Sequence, residues 1–424
     1  MRTVKYSTLI IFLISFFVFS ASADCPTNII LIIADGAGFN HIDALNYYRN
    51  GKKGSQAFEK FPVKLAVTTY PAGGSYEPKK AVEDFNYVKT GLITDSAAAS
   101  TALAAGIKTN NGLLGIDVNE NKLENIIERC EKLGISTGVI TTVPFCDATP
   151  AGFVVHQKSR RNYEEIADEM INQNGLKVIF GCGNPLFDDD GKELDKPDFK
   201  YISRQTWDSL LAKPKNKWTL IQSRQEFLNL AEGETPKRVL GIARAASTLQ
   251  YKRSGNSVLP FDVPLNRNVP NLSEMTKAAL NVLDGEPSGF FIMIEAGAVD
   301  WASHANNSAR MLEEMVDFAD AVDTVIGWVE RKSDWQKTLV IITSDHETGH
   351  LIVEPAAEKK MPIIKWNSKK HTNSLVFFFA KGQGSNLFAE HIKGNDPVYG
   401  SYIDNADIAK VIFALLKQKT AVTK

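Results

Sequence analysis

The chain is 424 residues long, and its 48 Lys and Arg stand against 49 Asp and Glu for a formal net charge of −1. That balance excludes a general nucleic-acid binder, which needs a basic face. Four cysteines (Cys25, Cys130, Cys146 and Cys182) without CxxC spacing argue against a thiolate zinc site, and the length suits one large core with surface insertions.

The chain opens with Arg2 and Lys5, an apolar run from Leu9 to Phe19 and Ala21-Ser22-Ala23, the make-up of a secretory signal peptide. Residues 1–23 are expected to be cleaved and the mature domain, 24–424, to be secreted or periplasmic. No later apolar run is long enough to span a bilayer. Export permits one or two disulfides, whose pairing is not legible.

Apolar, β-branched runs follow at Asn28–Ala34, Ile135–Thr142, Lys177–Phe180, Arg238–Ile242, Gly289–Ile294, Thr338–Thr343 and Ser374–Phe379. Such runs read as strands buried on both faces. Their alternation with helical segments predicts an α/β three-layer sandwich, a central mainly parallel sheet flanked by helices. Asp35-Gly36 leaves the first strand, where α/β sheets place their sites. Asp95 and Ser96 stand at the mouth of the alanine-rich helix Ala97–Ala105, where unpaired backbone N–H groups favour an anion. Taken alone, that pair is better explained by ordinary N-capping, by Asp95 or Ser96; the clusters that follow tip the reading toward an anion site.

The segment Asp147-Ala-Thr149-Pro150 continues to His156 and to Ser159-Arg160. Asp188-Asp189-Asp190 reads as a solvated loop. Glu295 ends a strand, and Asp300 and His304 are four apart, so on a helix they share one face and can share a metal ion. Met311, Met315, Phe318, Val322, Val325 and Val329 form a core stripe, which leaves Glu313, Glu314, Asp317, Asp320 and Asp323 to the surface. Asp345-His346 closes another strand, and His371 precedes the last one. His41 and His391 read as surface groups, His350 as a neighbour of the site, and His156 has no catalytic role assigned. Three Asp, one Glu and three His near strand ends are too many costly groups for a structural explanation. Hard oxygen and imidazole ligands without sulfur suit zinc and magnesium.

The order and local spacing of these clusters resemble those of alkaline phosphatases across the mature chain, most specifically in the Asp147–Arg160 block. The resemblance implies hydrolysis of phosphate monoesters of broad structure through a phosphoserine on Ser96, with two zinc ions and one magnesium. It puts Asp300, His304 and His371 on one zinc, and Asp35, Asp345 and His346 on the other. Asp35, Thr149 and Glu295 surround magnesium, and Arg160 clamps the phosphate, oriented by Asp95. Asp147 and Trp301 fall behind these groups, and a homodimer is expected. Many bacterial members have lysine directly after the acid matched by Asp300, and vertebrate ones have histidine. Trp301 therefore removes a charge beside the site. The stretch from His346 to His371 is short for a region that carries a large insertion in vertebrate members. Rival readings are a phosphodiesterase or sulfatase of the same superfamily and an exported metal- or phosphate-binding protein without turnover. The sulfatase setting Cys/Ser-x-Pro-x-Arg is not met by Ser96-Ala-Ala-Ala-Ser.

Overall fold

A computed structural model describes residues 25–212, 218–256 and 258–422. The expected leader, 1–23, lies outside the described residues. In chain order the strands β1 to β15 are Asn28–Ala34, Val63–Thr68, Ser136–Pro144, Leu176–Cys182, Thr219–Ile221, Val239–Ile242, Phe290–Ala296, Thr338–Thr343, Glu347–Thr348, Leu351–Glu354, Ile363–Trp366, His371–Thr372, Val376–Gly382, Gly394–Asp396 and Gly400–Asp404.

Eleven of them form one sheet in the order β14-β15-β2-β13-β8-β1-β7-β3-β4-β6-β5. Its centre, β8-β1-β7-β3-β4, is parallel, while β13 runs antiparallel to both β8 and β2. All seven expected strands are present, two of them with the expected bounds. The physical reason is visible in β1: Ile30, Ile32 and Ala34 enter one core, and Ile29, Leu31 and Ile33 enter the other. Side chains alternate across a strand, so a continuous apolar run is what burial on both faces requires. The helices Phe39–Asn50, Leu272–Leu283 and Ser308–Lys332 cover the first face, and Ser96–Ala105, Ile126–Lys132 and Asn405–Val422 cover the second. This is the expected three-layer α/β fold.

The stripe from Met311 to Val329 is buried along the 25-residue helix Ser308–Lys332. Glu313 and Glu314, expected at the surface, are instead 4% and 2% exposed. Arg253, arriving from a distant segment, and Arg310, three residues earlier on the same helix, are both buried and pair with Glu313 at 2.8 and 3.1 Å. The acidic run is not a merely solvated loop either. Asp189 accepts hydrogen bonds from the backbone N–H groups of Ser247 and Thr248, and Asp190 from that of Ser254. All four cysteines are free thiols, so neither permitted disulfide is formed. Among the described residues no helix is long and apolar enough to cross a membrane.

Candidate functional site

The carboxyl ends of β1, β7, β8 and β3 converge, and each delivers an acid by its own chain path. Asp35 follows β1, Glu295 lies near the end of β7, Asp345 follows β8 and Asp147 follows β3. The turn after Asp35 is tight: Gly36 has φ +72°, and a Cβ there would lie 2.8–2.9 Å from Asp300. Only glycine suits both the left-handed backbone and that close approach. Its N–H donates to Asp345 Oδ1 at 3.1 Å, which ties β1 to β8 at the site.

Asp95 caps the helix Ser96–Ala105, its Oδ1 accepting from Ala98 N at 3.0 Å. The same carboxylate accepts from Gly112 N and from Arg160 Nη1 at 3.3 Å, while Arg160 Nη2 reaches Asp147 Oδ1 at 3.4 Å. Capping and orienting Arg160 are thus one arrangement. Burial disfavours the guanidinium charge, but Asp147 and Asp95 overcome this and hold its pKa above the ordinary value. Ser96, 3% exposed, lies in the first turn with Oγ 3.2 Å from His346 Nε2.

From Ser96 the contacts run on through a file of imidazoles. The rings of His346 and His371 stack with centroids 3.6 Å apart, and His371 Nε2 lies 3.0 Å from His304 Nε2. Two groups of donor atoms converge within 4.8 Å of one another: Asp35, Asp345 and His346, and Asp300, His346 and His371. The first is the set expected for one zinc. In the second, His346 lies where His304 is expected, although His304 Nε2 still approaches Asp300 Oδ2 at 3.3 Å. His346 lies between the two groups.

Several of these polar atoms are buried without a hydrogen bond: Asp35 Oδ1, Thr149 Oγ1, Glu295 Oε1 and Asp345 Oδ2. Leaving such atoms unpaired costs about 1–3 kcal/mol each, so four in one place point to a missing cation. Burial, with the charges of Asp345 and Asp300, raises the Asp35 pKa well above the carboxylate range. Burial lifts Glu295 to about 8 against the pull of Thr141, and Asp345 to about 7 against that of Gly36 N–H. Burial and the neighbouring His371 push the His346 pKa far down, toward the neutral imidazole that ligates metals. Asp300 is the exception. Burial opposes its charge, but the His304 hydrogen bond and the charge of His371 keep its pKa low. The donor chemistry fits divalent cations.

Every expected site residue therefore lies at this end of the sheet. His41, expected at the surface, is fully buried: it accepts from Gly38 N–H at 3.0 Å and bonds Ser303 at 3.1 Å, and burial lowers its pKa to about 3. His156 packs beside Glu128 and Glu169, and His391 is half-exposed beside Asp407. His350 lies against Phe85. Sequence reasoning missed Thr348, whose hydroxyl donates to Asp300 Oδ1 at 2.5 Å, and Thr141, which bonds Glu295. It also missed Lys252, whose Nζ sits 4.6 Å over the ring of Trp301. Nothing in the spacing of these residues marks them, because each acts from an element remote in sequence.

Acids and imidazoles gathered at strand ends, beside a serine at a helix N-terminus, build a cation-binding site open to an anion. The alkaline phosphatase family model matches residues 26–395, and the chain belongs to that family. Alkaline phosphatase 3 of Bacillus subtilis is 31% identical over 331 residues, 76% of this chain and 61% of its own length. Alkaline phosphatase of Escherichia coli K12 is 29% identical over 360 residues, 77% and 71% of the two chains. The alkaline phosphatase of the Antarctic bacterium TAB5 superimposes with a TM-score of 0.67 at 27% identity, covering 93% of this chain and 99% of that one. The match spans less than two thirds of the length of two Bacillus subtilis relatives, 61% and 64%.

Proposed function

We propose that this chain is an exported alkaline phosphatase that hydrolyses phosphate monoesters through a phosphoserine on Ser96. The observation that carries the reading is the Ser96 hydroxyl, in the first turn of a helix and 3.2 Å from His346, which itself lies beside Asp35 and Asp345, acids with buried oxygens that lack hydrogen bonds. Asp35, Asp345 and His346 would hold one zinc, Asp300, His304 and His371 the other, and Asp35, Thr149 and Glu295 magnesium. When bound, these ions supply Lewis acidity toward the serine hydroxyl, the phosphoryl oxygens and the departing oxygen.

The chain's own groups do the rest. Ser96 Oγ attacks phosphorus in line, the new Oγ–P bond forms as the ester P–O bond breaks, and the alcohol leaves with a proton. Water then cleaves the phosphoserine, releasing inorganic phosphate and restoring the hydroxyl. Arg160, held by Asp95 and Asp147, is placed to pair with two phosphoryl oxygens at once. The helix N-terminus at Ser96 adds oriented N–H groups to the same charge. A magnesium ion is described in the M3 site of a TAB5 variant, a relative of 26% identity, which supports the third metal. The leader-like residues 1–23 support a secreted or periplasmic location, and we infer a homodimer from the family likeness.

The test is phosphate release from a chromogenic monoester and a diester, with and without chelator, for the wild type and Ser96→Ala. Expected are monoester turnover abolished by chelator, little diester turnover, and a Ser96→Ala protein that keeps its metals but forms no acid-stable phosphoenzyme. A normal burst from Ser96→Ala would remove Ser96 from the mechanism, and preferred diester turnover would favour the phosphodiesterase reading.

A further inference from the structure

We propose that Lys252 and Trp301 form a leaving-group subsite that favours phosphate esters and anhydrides whose departing group carries its own negative charge, such as a carboxylate-bearing alcohol or a second phosphate; this rests on the phosphatase reading above. The cavity over Ser96 has a volume of about 630 Å³, and its lining includes Arg160, Tyr251, Lys252, Asp300 and Trp301. Only two of the lining residues are permanent cations, and they differ in kind. Arg160 is shared between Asp95 and Asp147. Lys252 is exposed, and among the described residues no carboxylate pairs with its ammonium, which rests on the Trp301 face. A cation–π contact at a solvent-open ammonium is weak, enough to place the charge over the half-buried indole but not enough to hold it from an anion.

The position of the pair assigns its role. In-line displacement puts the entering and departing oxygens on opposite sides of phosphorus. Ser96 enters at the His346 end of the imidazole file, and His304 closes the other end. Trp301 lies on the same short helix as His304, Ala298–His304, so Trp301 and Lys252 flank the side by which the alcohol leaves.

Lys252 is also held more firmly than an exposed lysine on an irregular segment would be. Its backbone N–H donates to Thr248 Oγ1 at 2.9 Å, and Asp189 in turn fixes Ser247 and Thr248. The next residue, Arg253, is buried. It donates to the carbonyls of Gln250, Val263 and Pro264 and pairs with Glu313 at 2.8 Å. The acidic run and the buried Arg253–Glu313–Arg310 network touch no reacting atom in the proposed mechanism. Together they anchor the segment that presents Tyr251 and Lys252 to the cavity.

The test compares kcat/KM of the metal-loaded protein for phenyl phosphate, 3-carboxyphenyl phosphate and pyrophosphate in the wild type, Lys252→Met and Lys252→Arg. Lys252→Met is expected to lose about fivefold on the two charged substrates, the equivalent of about 1 kcal/mol for one contact at a solvent-open rim. Phenyl phosphate should be unaffected, and Lys252→Arg should retain the preference. Equal losses on all three substrates would place Lys252 on the transferred phosphoryl group, and no loss on any would leave it a bystander; either result overturns the subsite. A second readout avoids turnover: calorimetric binding of pyrophosphate and of inorganic phosphate to metal-loaded Ser96→Ala, with and without Lys252→Met. The subsite requires that the second change weaken pyrophosphate more than phosphate. If the wild type hydrolyses none of the esters, the phosphatase reading fails while this binding comparison still decides for or against the subsite.

Discussion

Replacing Glu313 by Gln should be among the most damaging single changes outside the site. Its carboxylate faces two guanidiniums at 2.8 and 3.1 Å and accepts from Phe261 N–H at 2.7 Å. The side chains of Arg253, Arg310 and Glu313 are only 2–3% exposed. A glutamine preserves the shape and an acceptor for Phe261 but leaves two buried cations without their counter-charge. Breaking one side of a buried pair costs about 3–5 kcal/mol, a large share of the roughly 5–15 kcal/mol that holds a domain folded. Urea unfolding of the wild type, Glu313→Gln, Arg310→Met and the double variant would measure it. The double variant should cost about 1–3 kcal/mol less than the sum of the singles, as partners in one network do. Arg310 is the better partner for this cycle, since its loss orphans two backbone carbonyls, those of Arg253 and Gly255, where the loss of Arg253 would orphan three. Additive costs would show that the network is not the source of the stability. Below its unfolding range, Glu313→Gln should also lose the preference for charged leaving groups, because the segment carrying Lys252 is anchored there.

Three further outcomes follow. Arg160→Ala should weaken inhibition by inorganic phosphate by roughly ten- to a hundredfold, the worth of a charged two-point contact; an unchanged inhibition constant means Arg160 does not touch phosphate. Glu314→Gln should change how stability depends on pH. The folded chain keeps a proton on Glu314 up to about pH 8, whereas the unfolded chain releases it near the ordinary value of 4.5. Wild-type stability therefore falls through that window by up to about 1.4 kcal/mol per pH unit from this group, and the variant should gain on the wild type from pH 5 to pH 8 in parallel melting curves; a gap independent of pH contradicts the assignment. Chelation should lower the melting temperature and abolish activity, with zinc restoring most of both and magnesium a further part. Full activity in a protein shown to be metal-free would refute the metal reading.

The parts of this molecule legible in its sequence are those set by the local chain. The bounds of β1 and β8 follow from apolar runs buried on both faces, and acids at strand ends announce themselves by leaving those runs. The strands β2, β5 and β15 escaped notice because their exposed or half-exposed positions interrupt the apolar signal. What the sequence hides is the partner. Glu313 looks like a surface acid on a helix wheel until Arg253 arrives from a distant segment, and His41 looks exposed until Ser303 closes over it.

Position 301 shows how that blindness affects functional comparison. Set against the lysine that the family resemblance puts at this position in many bacterial members, Trp301 reads as the absence of a charge. In the folded protein the indole of Trp301 carries the ammonium of Lys252 on its face, so the rim is cationic after all, but the charge belongs to a different element. A lysine fixed beside Asp300 would be confined to the reach of that helix. One delivered from an anchored segment across the cavity can meet a second anionic group on the departing side, and the charged-substrate comparison separates these two geometries.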